Sequence, residues 1–134
     1  MNSFNHYAYG AVGEWMYQFI GGIEIDAAAP GYKHVLIHPH IGGGLPYAVA
    51  SHDGPYGTIR SAWHLDADRL TLGVDIPPNS SATVQLPHGR LTDVIEGDLP
   101  LVRSVGVTRI RQDGSNVFAE LGSGHYEFSY RFVD

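Results

Sequence analysis

Three histidines, His34, His38 and His40, fall close together in the first third of the chain. On an extended strand, residues four and six positions after the first point to the same side, so the three imidazoles would share one face. Such a set can bind zinc, nickel or non-haem iron, as in cupin-like barrels. Pro39 bends this stretch and no carboxylate follows at ligand spacing. Polar histidines at a strand end are therefore the favoured interpretation, and no metal or other cofactor is expected.

A second polar cluster, Asn5-His6-Tyr7, directly precedes an apolar segment with helical spacing. A helix N-terminus with aromatic neighbours suits sugar recognition, because a ring stacks on the C–H side of a pyranose while His and Asn bind hydroxyls. A helix cap with a buried, hydrogen-bonded histidine accounts for the same residues equally well. The residues alone leave both interpretations open.

The acidic residues form no recognisable catalytic pair. Glycoside hydrolysis needs two carboxyl groups about 5–10 Å apart across a cleft. Most Asp and Glu residues here fall on predicted turns or on outward strand positions, and Asp75 and Asp93 have no evident partner. Glu24 and Asp26 are typical of a solvated linker, and Glu14 is expected to mark the wet side of a helix. No catalytic residue is therefore predicted in this chain.

Composition limits the class of protein. The chain has 134 residues, which is one ordinary domain, and its 43% hydrophobic and 16% charged content excludes a disordered tail. A net charge of −6 argues against a nucleic-acid partner, because phosphates need a basic face. The absence of cysteine removes disulfides and thiolate chemistry. No apolar run approaches the ~18 residues of a membrane span, so no membrane partner is expected.

Residues 7–20 are predicted to form an α-helix that is apolar on nearly every side. One stripe consists of Ala8, Val12, Trp15, Met16 and Phe19. Tyr9, Tyr17 and Ile20 lie on the opposite side, and a helix with so much apolar surface is normally buried on several sides. Because nothing downstream supplies further helices, we expect the chain to be part of a longer protein and, alone, to form a homodimer through this helix.

After Ile23 the hydrophobic period changes from 3.6 to 2, which predicts seven or eight short strands. We expect a mainly β fold: an antiparallel two-sheet β-sandwich preceded by one N-terminal α-helix, with residues 87–100 irregular. Aromatic residues alternate along the last strand and are predicted to face the core. The strands are predicted at 33–38, 47–53, 58–65, 69–76, 82–86, 105–112, 116–121 and 125–133, and the last-strand aromatics are Tyr126, Phe128, Tyr130 and Phe132.

Five motifs resemble segments of bacterial α-L-rhamnosidases of glycoside hydrolase family 78. Residues 3–17 (SFNHYAYGAVGEWMY) closely resemble the closing helix of that family's catalytic domain. Four further motifs resemble its C-terminal β-sandwich, in the same order and with similar spacing. They are residues 30–34 (PGYKH), 42–45 (GGGL), 51–57 (SHDGPYG) and 76–79 (IPPN).

The resemblance implies a division of the chain at residue 26. Residues 1–26 would be the terminal helix of an otherwise missing (α/α)6 catalytic barrel, and residues 27–134 the C-terminal β-sandwich domain. In this family the barrel cleaves terminal α-L-rhamnose with inversion, and its acid and base would lie upstream of Met1. The alternative is a free-standing carbohydrate-binding module, which a solvent-facing row of two or three aromatic residues on one sheet face would favour.

The resemblance also implies one substrate contact. The histidine of the family's Asn-His-Tyr motif contacts rhamnose in the active-site pocket, and His6 matches it. We therefore expect His6 to bind the rhamnoside in the full-length parent. Residues 1–6 lack the basic region of a signal peptide, and the bacterial cytoplasm is the expected compartment.

Overall fold

A computed structural model describes residues 22–25, 34–42, 44–54 and 57–133. These residues form eleven strands and one short 3₁₀ helix. In chain order the strands are β1 (Ile23–Ile25), β2 (His34–Ile37), β3 (Tyr47–Gly54), β4 (Gly57–Asp66), β5 (Arg69–Ile76), β6 (Ser81–Pro87), β7 (Ile95–Glu96), β8 (Leu99–Pro100), β9 (Val107–Asp113), β10 (Asn116–Leu121) and β11 (Gly124–Arg131). The 3₁₀ helix, η1 (Leu101–Arg103), lies between β8 and β9.

The strands form two sheets. Sheet A has the order β1-β2-β6-β10-β9, and sheet B has the order β3-β4-β5-β11-β7-β8. The predicted mainly β, two-sheet fold is confirmed. The prediction of purely antiparallel pairing is wrong, because β2 runs parallel to β6, with His34 opposite Ser81. Between these two strands the chain crosses into sheet B as β3, β4 and β5, and a crossover of this length is what parallel neighbours require.

The facing sides of the two sheets bury a continuous apolar core. Along β5 and β6 every second side chain is buried, as the predicted alternation requires. The last strand contributes aromatic rings: Tyr126, Phe128 and Tyr130 are at most 4% exposed. The prediction that this aromatic row faces the core is confirmed.

Three short strands lie where the sequence predicted linker or irregular structure. β1 pairs with β2, so that Glu24 lies opposite Leu36, and Ile23 is 2% exposed. The interpretation of Glu24 as part of a linker is therefore wrong. The pair β7–β8 lies within residues 87–100. Strands of two or three residues are too short to show a period of two, and the sequence pattern could not reveal them.

Several predicted features lie outside the described residues. They are the helix at 7–20, the cluster Asn5-His6-Tyr7, Glu14, and residues 26 and 27, where the domain boundary was placed. In the ranges that are described, no helix has the length and apolar character needed to cross a membrane.

Candidate functional site

The three clustered histidines do not assemble into a metal site. Both ring nitrogens of His34 lie against hydroxyls of β6, with Nδ1 2.7 Å from Ser81 Oγ and Nε2 3.0 Å from Thr83 Oγ1. His38 and His40 follow the end of β2 and meet edge to face, with ring centroids 5.2 Å apart. Within residues 22–25, 34–42, 44–54 and 57–133, no group of three potential ligands could hold a metal ion. The three imidazoles do not converge in this structure, because β2 ends between His34 and the other two.

The contact between His38 and His40 affects proton binding. Partial burial lowers the pKa of His40 below its ordinary 6.5, and the charge on His38 lowers it further. Two imidazolium ions at this separation would repel each other. Both effects favour the neutral form of His40.

Two aspartates predicted to lack partners are both paired. Asp75 Oδ1 on β5 lies 2.5 Å from Nδ1 of His125 on β11. Asp93 Oδ2 accepts a hydrogen bond of 2.8 Å from the backbone N–H of Arg131. Each partner lies far away along the chain, and the strand register brings them together. Local sequence therefore gave no signal of either pair.

The outer face of sheet A carries a groove of about 380 Å³, and each charged side chain that lines it already has a partner of opposite charge. The Arg111 guanidinium lies 4.3 Å from the centroid of the Phe118 ring and also bonds Asp113. Arg109 bonds Glu120 at 3.4 Å. Because a guanidinium covers the aromatic face, Phe118 does not offer a free ring for a sugar. These contacts hold β9 against β10, and they leave the groove poorly suited to binding a ligand.

The outer face of sheet B presents side chains in rows that run across four strands. Residues directly opposite each other in an antiparallel sheet point to the same face, so the register defines the rows. In order along the strands, they are Tyr47-His64-Thr71-Ser129, Val49-Ala62-Gly73-Glu127 and Ser51-Arg60-Asp75-His125.

The middle row contains the smallest residues and forms the floor of a shallow trough. Gly73 has no side chain, and a β-carbon built there would contact only the Ala62 carbonyl oxygen, at 3.9 Å. The two larger rows lie on either side, each about 7 Å away by the rise of two residues along a strand. We call this depression, which runs from Val49 across Ala62 and Gly73 to Glu127, the central trough.

The two ends of the central trough differ in chemistry. At the β3 edge, Tyr47 is 61% exposed and Val49 is 39% exposed, which makes this end aromatic and aliphatic. At the β11 end, Glu127 is exposed and the Asp75–His125 pair lies beside it. The sequence pattern did not reveal this surface. One signal was available: glycine at an outward position of β5 leaves a gap between Thr71 and Asp75.

A row of exposed aromatic residues is not found on either outer face within the described ranges. There, Tyr47 is the aromatic residue with a large exposed fraction, and the aromatic row of β11 is buried. The feature that would favour a free-standing carbohydrate-binding module is therefore not observed in this part of the chain.

The chain is similar in sequence to known alpha-L-rhamnosidases. A sequence profile of the bacterial alpha-L-rhamnosidase C-terminal domain matches residues 22–98. An alpha-L-rhamnosidase of Streptomyces avermitilis is 39% identical over 96% of this chain, and the match covers 12% of the relative. An alpha-L-rhamnosidase of Formosa agariphila is 34% identical over 98% of this chain and 14% of the relative. The chain thus spans only about an eighth of the curated relatives it matches.

Solved structures of alpha-L-rhamnosidases contain a similar fold. The S. avermitilis alpha-L-rhamnosidase complexed with L-rhamnose superposes with a TM-score of 0.76 and 34% identity, covering 98% of this chain and 12% of that chain. An alpha-L-rhamnosidase from Dictyoglumus thermophilum superposes with a TM-score of 0.77 and 26% identity, covering 92% and 14%.

Proposed function

The chain belongs to the bacterial alpha-L-rhamnosidase C-terminal domain family, and we propose that it is an accessory, non-catalytic part of an α-L-rhamnosidase that releases terminal α-L-rhamnose with inversion. One observation carries this proposal: the similarity extends over 96% of the chain but only 12% of the S. avermitilis relative. Most of such an enzyme, including its catalytic barrel, would then be encoded outside these 134 residues.

The environment of the carboxylates supports the non-catalytic part of the proposal. Inverting hydrolysis needs a protonated acid on one side of the glycosidic bond and a base on the other. Asp75 is paired with His125, and Asp93 holds the backbone of Arg131. Glu96 accepts hydrogen bonds from Ser104 Oγ at 2.6 Å and from the backbone N–H of Glu127 at 3.1 Å. These three acids therefore hold strands and loops together.

His6 is proposed to contact the rhamnose ring in the parent enzyme. The support is its place in the Asn5-His6-Tyr7 motif, which the family carries in its active-site pocket. In this proposal, the residues that precede Gly22 complete the barrel, and the β-sandwich begins with β1, which pairs with β2 in sheet A. The catalytic chemistry and the proposed His6 contact then lie on the N-terminal side of residue 22, where the matched domain begins.

An activity assay tests the proposed function. The purified chain and the full-length parent are each incubated with a chromogenic aryl α-L-rhamnoside, and the released phenol is measured. We expect turnover by the parent and none by the chain. A chain carrying Asp75→Asn is the control, because it alters a carboxylate outside the proposed active site. Turnover by the chain that a point mutation within it abolishes would contradict the proposal, as would a parent inactive on rhamnosides.

A further inference from the structure

We propose that the central trough on the outer face of sheet B binds a 6-deoxy sugar, with the sugar's methyl group at the β3 edge and a vicinal diol at the β11 end. The shape and chemistry of the trough indicate the class of ligand. The choice of L-rhamnose as its representative rests on the proposed function.

The floor of the trough is formed by two small residues on strands that are paired on both sides. Ala62 and Gly73 lie side by side on the two central strands β4 and β5, and Gly73 leaves space above the sheet. Both strands are hydrogen-bonded on each side, so the floor is a rigid surface. The rows on either side of it are about 14 Å apart, by the rise of four residues along a strand. A sugar ring can fit between them.

The β3 end fits the apolar parts of a deoxy sugar. Tyr47 has an uncovered ring that is 61% exposed, and such a ring can stack on the C–H face of a pyranose. Val49 and Ala62 lie in the adjacent row and present methyl groups towards the same surface. A methyl group at carbon 6 would contact them, whereas a hydroxyl there would lose its water without gaining a hydrogen bond.

The β11 end fits the hydroxyls. Glu127 faces the trough, and its backbone is fixed by two hydrogen bonds: its N–H donates to Glu96 and its carbonyl accepts from Gly97 N at 2.8 Å. A carboxylate can accept from both hydroxyls of a diol. In a 6-deoxyhexose, carbons 2 and 3 lie across the ring from carbon 5, which carries the methyl group. Glu127 is two strands away from Ala62, a distance of about 10 Å. One sugar ring together with the Glu127 side chain can span this distance.

The test is a titration of the isotope-labelled 134-residue chain followed by NMR. L-rhamnose is the probe and L-mannose, which differs from it only by a hydroxyl on carbon 6, is the matched control. We expect L-rhamnose to shift the amide resonances of Ala62, Gly73 and Glu127 with weak, saturable affinity. We expect L-mannose to bind at least about tenfold more weakly. Equal binding of the two sugars would overturn the deoxy-sugar assignment.

Variants test the location of the site. Gly73→Val fills the trough with a residue that strands favour, so we expect an intact fold and no binding. Tyr47→Ala should weaken binding about tenfold, and Tyr47→Phe should retain it. Should Gly73→Val fail to fold, the Tyr47 pair still decides. Resonance shifts unaffected by these variants, or no shifts at saturating L-rhamnose, would overturn the proposal. Because the readout is binding by the chain, this outcome is independent of whether the parent hydrolyses rhamnosides.

Discussion

Gly106 lies directly against the hydroxyl of Tyr126, and a β-carbon built on Gly106 would come within 2.6 Å of that oxygen. The Tyr126 hydroxyl donates a hydrogen bond of 3.0 Å to the carbonyl of Gly122, and Gly122 N donates to the carbonyl of Gly106 at 3.1 Å. Gly106 precedes β9 of sheet A, while Tyr126 lies on β11 of sheet B. This contact therefore ties the two sheets together at one end of the sandwich.

Gly106→Ala is expected to destabilise the fold by about 2–5 kcal/mol. Gly106 has a φ of 88°, where an L side chain is strained, and the added methyl group would also displace the buried Tyr126. Gly114→Ala is the matched control. Gly114 also has a positive φ, of 59°, but its added β-carbon would meet nothing within 4 Å. The control should lose only about 1–2 kcal/mol. Urea unfolding measures both, and equal losses would show that the contact with Tyr126 contributes nothing.

Tyr130→Phe is expected to lower stability by about 1 kcal/mol at neutral pH, because Tyr130 is fully buried and its hydroxyl donates to the Pro87 carbonyl at 2.7 Å. The variant should also change how the free energy of unfolding depends on pH in the alkaline range. Burial raises the pKa of Tyr130 above its ordinary 10, so the unfolded chain releases a proton that the folded protein keeps. Stability therefore falls as pH rises above about 10, and Tyr130→Phe should reduce this fall.

Unfolding free energies at about pH 8 and at about pH 11 decide the alkaline prediction. Burial also raises the pKa of Tyr126, and the charge on Glu96 adds to the effect. Part of the loss of stability at alkaline pH should thus remain in Tyr130→Phe. A Tyr130→Phe variant with the same alkaline slope as the parent chain would show that this hydroxyl does not carry the effect.

His40 is expected to titrate below 6.5 in the folded protein, because it is partly buried and faces His38. The unfolded chain, with an ordinary histidine pKa, then binds the proton more readily, so stability should fall as pH drops through about 6.5 and below. His38→Asn removes the neighbouring charge and should raise the pKa of His40 and flatten this dependence. NMR titration of the ring protons measures the pKa directly. An unchanged His40 pKa in His38→Asn would mean that burial alone lowers it.

Strands such as β5 could be predicted from sequence because one face is buried along their whole length. Leu70, Leu72, Val74 and Ile76 alternate with outward residues, and the structure buries all four. The parallel pairing of β2 with β6 could not be predicted, because it joins His34 to Ser81 across a crossover with no local signal. The central trough could not be predicted for the same reason: Ala62 and Gly73 become neighbours only through the register of β4 and β5.

In the full-length parent, His6→Ala is expected to lower kcat/KM by about tenfold or more, because a lost hydrogen bond to a buried sugar hydroxyl removes about 1–3 kcal/mol. His6→Gln keeps a donor and should retain more activity. His125→Ala, on the outer face of the sandwich, is the control for non-specific effects. Initial rates on an aryl α-L-rhamnoside measure all three variants. A His6→Ala enzyme with the parental kcat/KM would show that His6 does not contact the substrate.

β1 is expected to stabilise the β-sandwich. A chain that starts at Gly22 should be more stable than one that starts at Ala27 by about 2–4 kcal/mol. The shorter chain lacks β1, in which Ile23 is 2% exposed and pairs with Ile37, and such a side chain contributes about 1.5–3 kcal/mol. It also lacks Gly22, whose carbonyl accepts a hydrogen bond of 2.8 Å from His38 N. Thermal unfolding of the two truncated chains measures the difference.

The chain that starts at Gly22 also tests self-association through residues 7–20. The predicted helix would place Trp15, Met16 and Phe19 in one apolar stripe, and a large exposed apolar patch is normally covered by a partner. We expect light scattering to show a dimer for the whole chain and a monomer for the chain that starts at Gly22. A whole chain that stays monomeric would contradict the association. Equal stability of the chains starting at Gly22 and Ala27 would contradict the role of β1. It would show that this edge strand of sheet A adds nothing to the stability of the core.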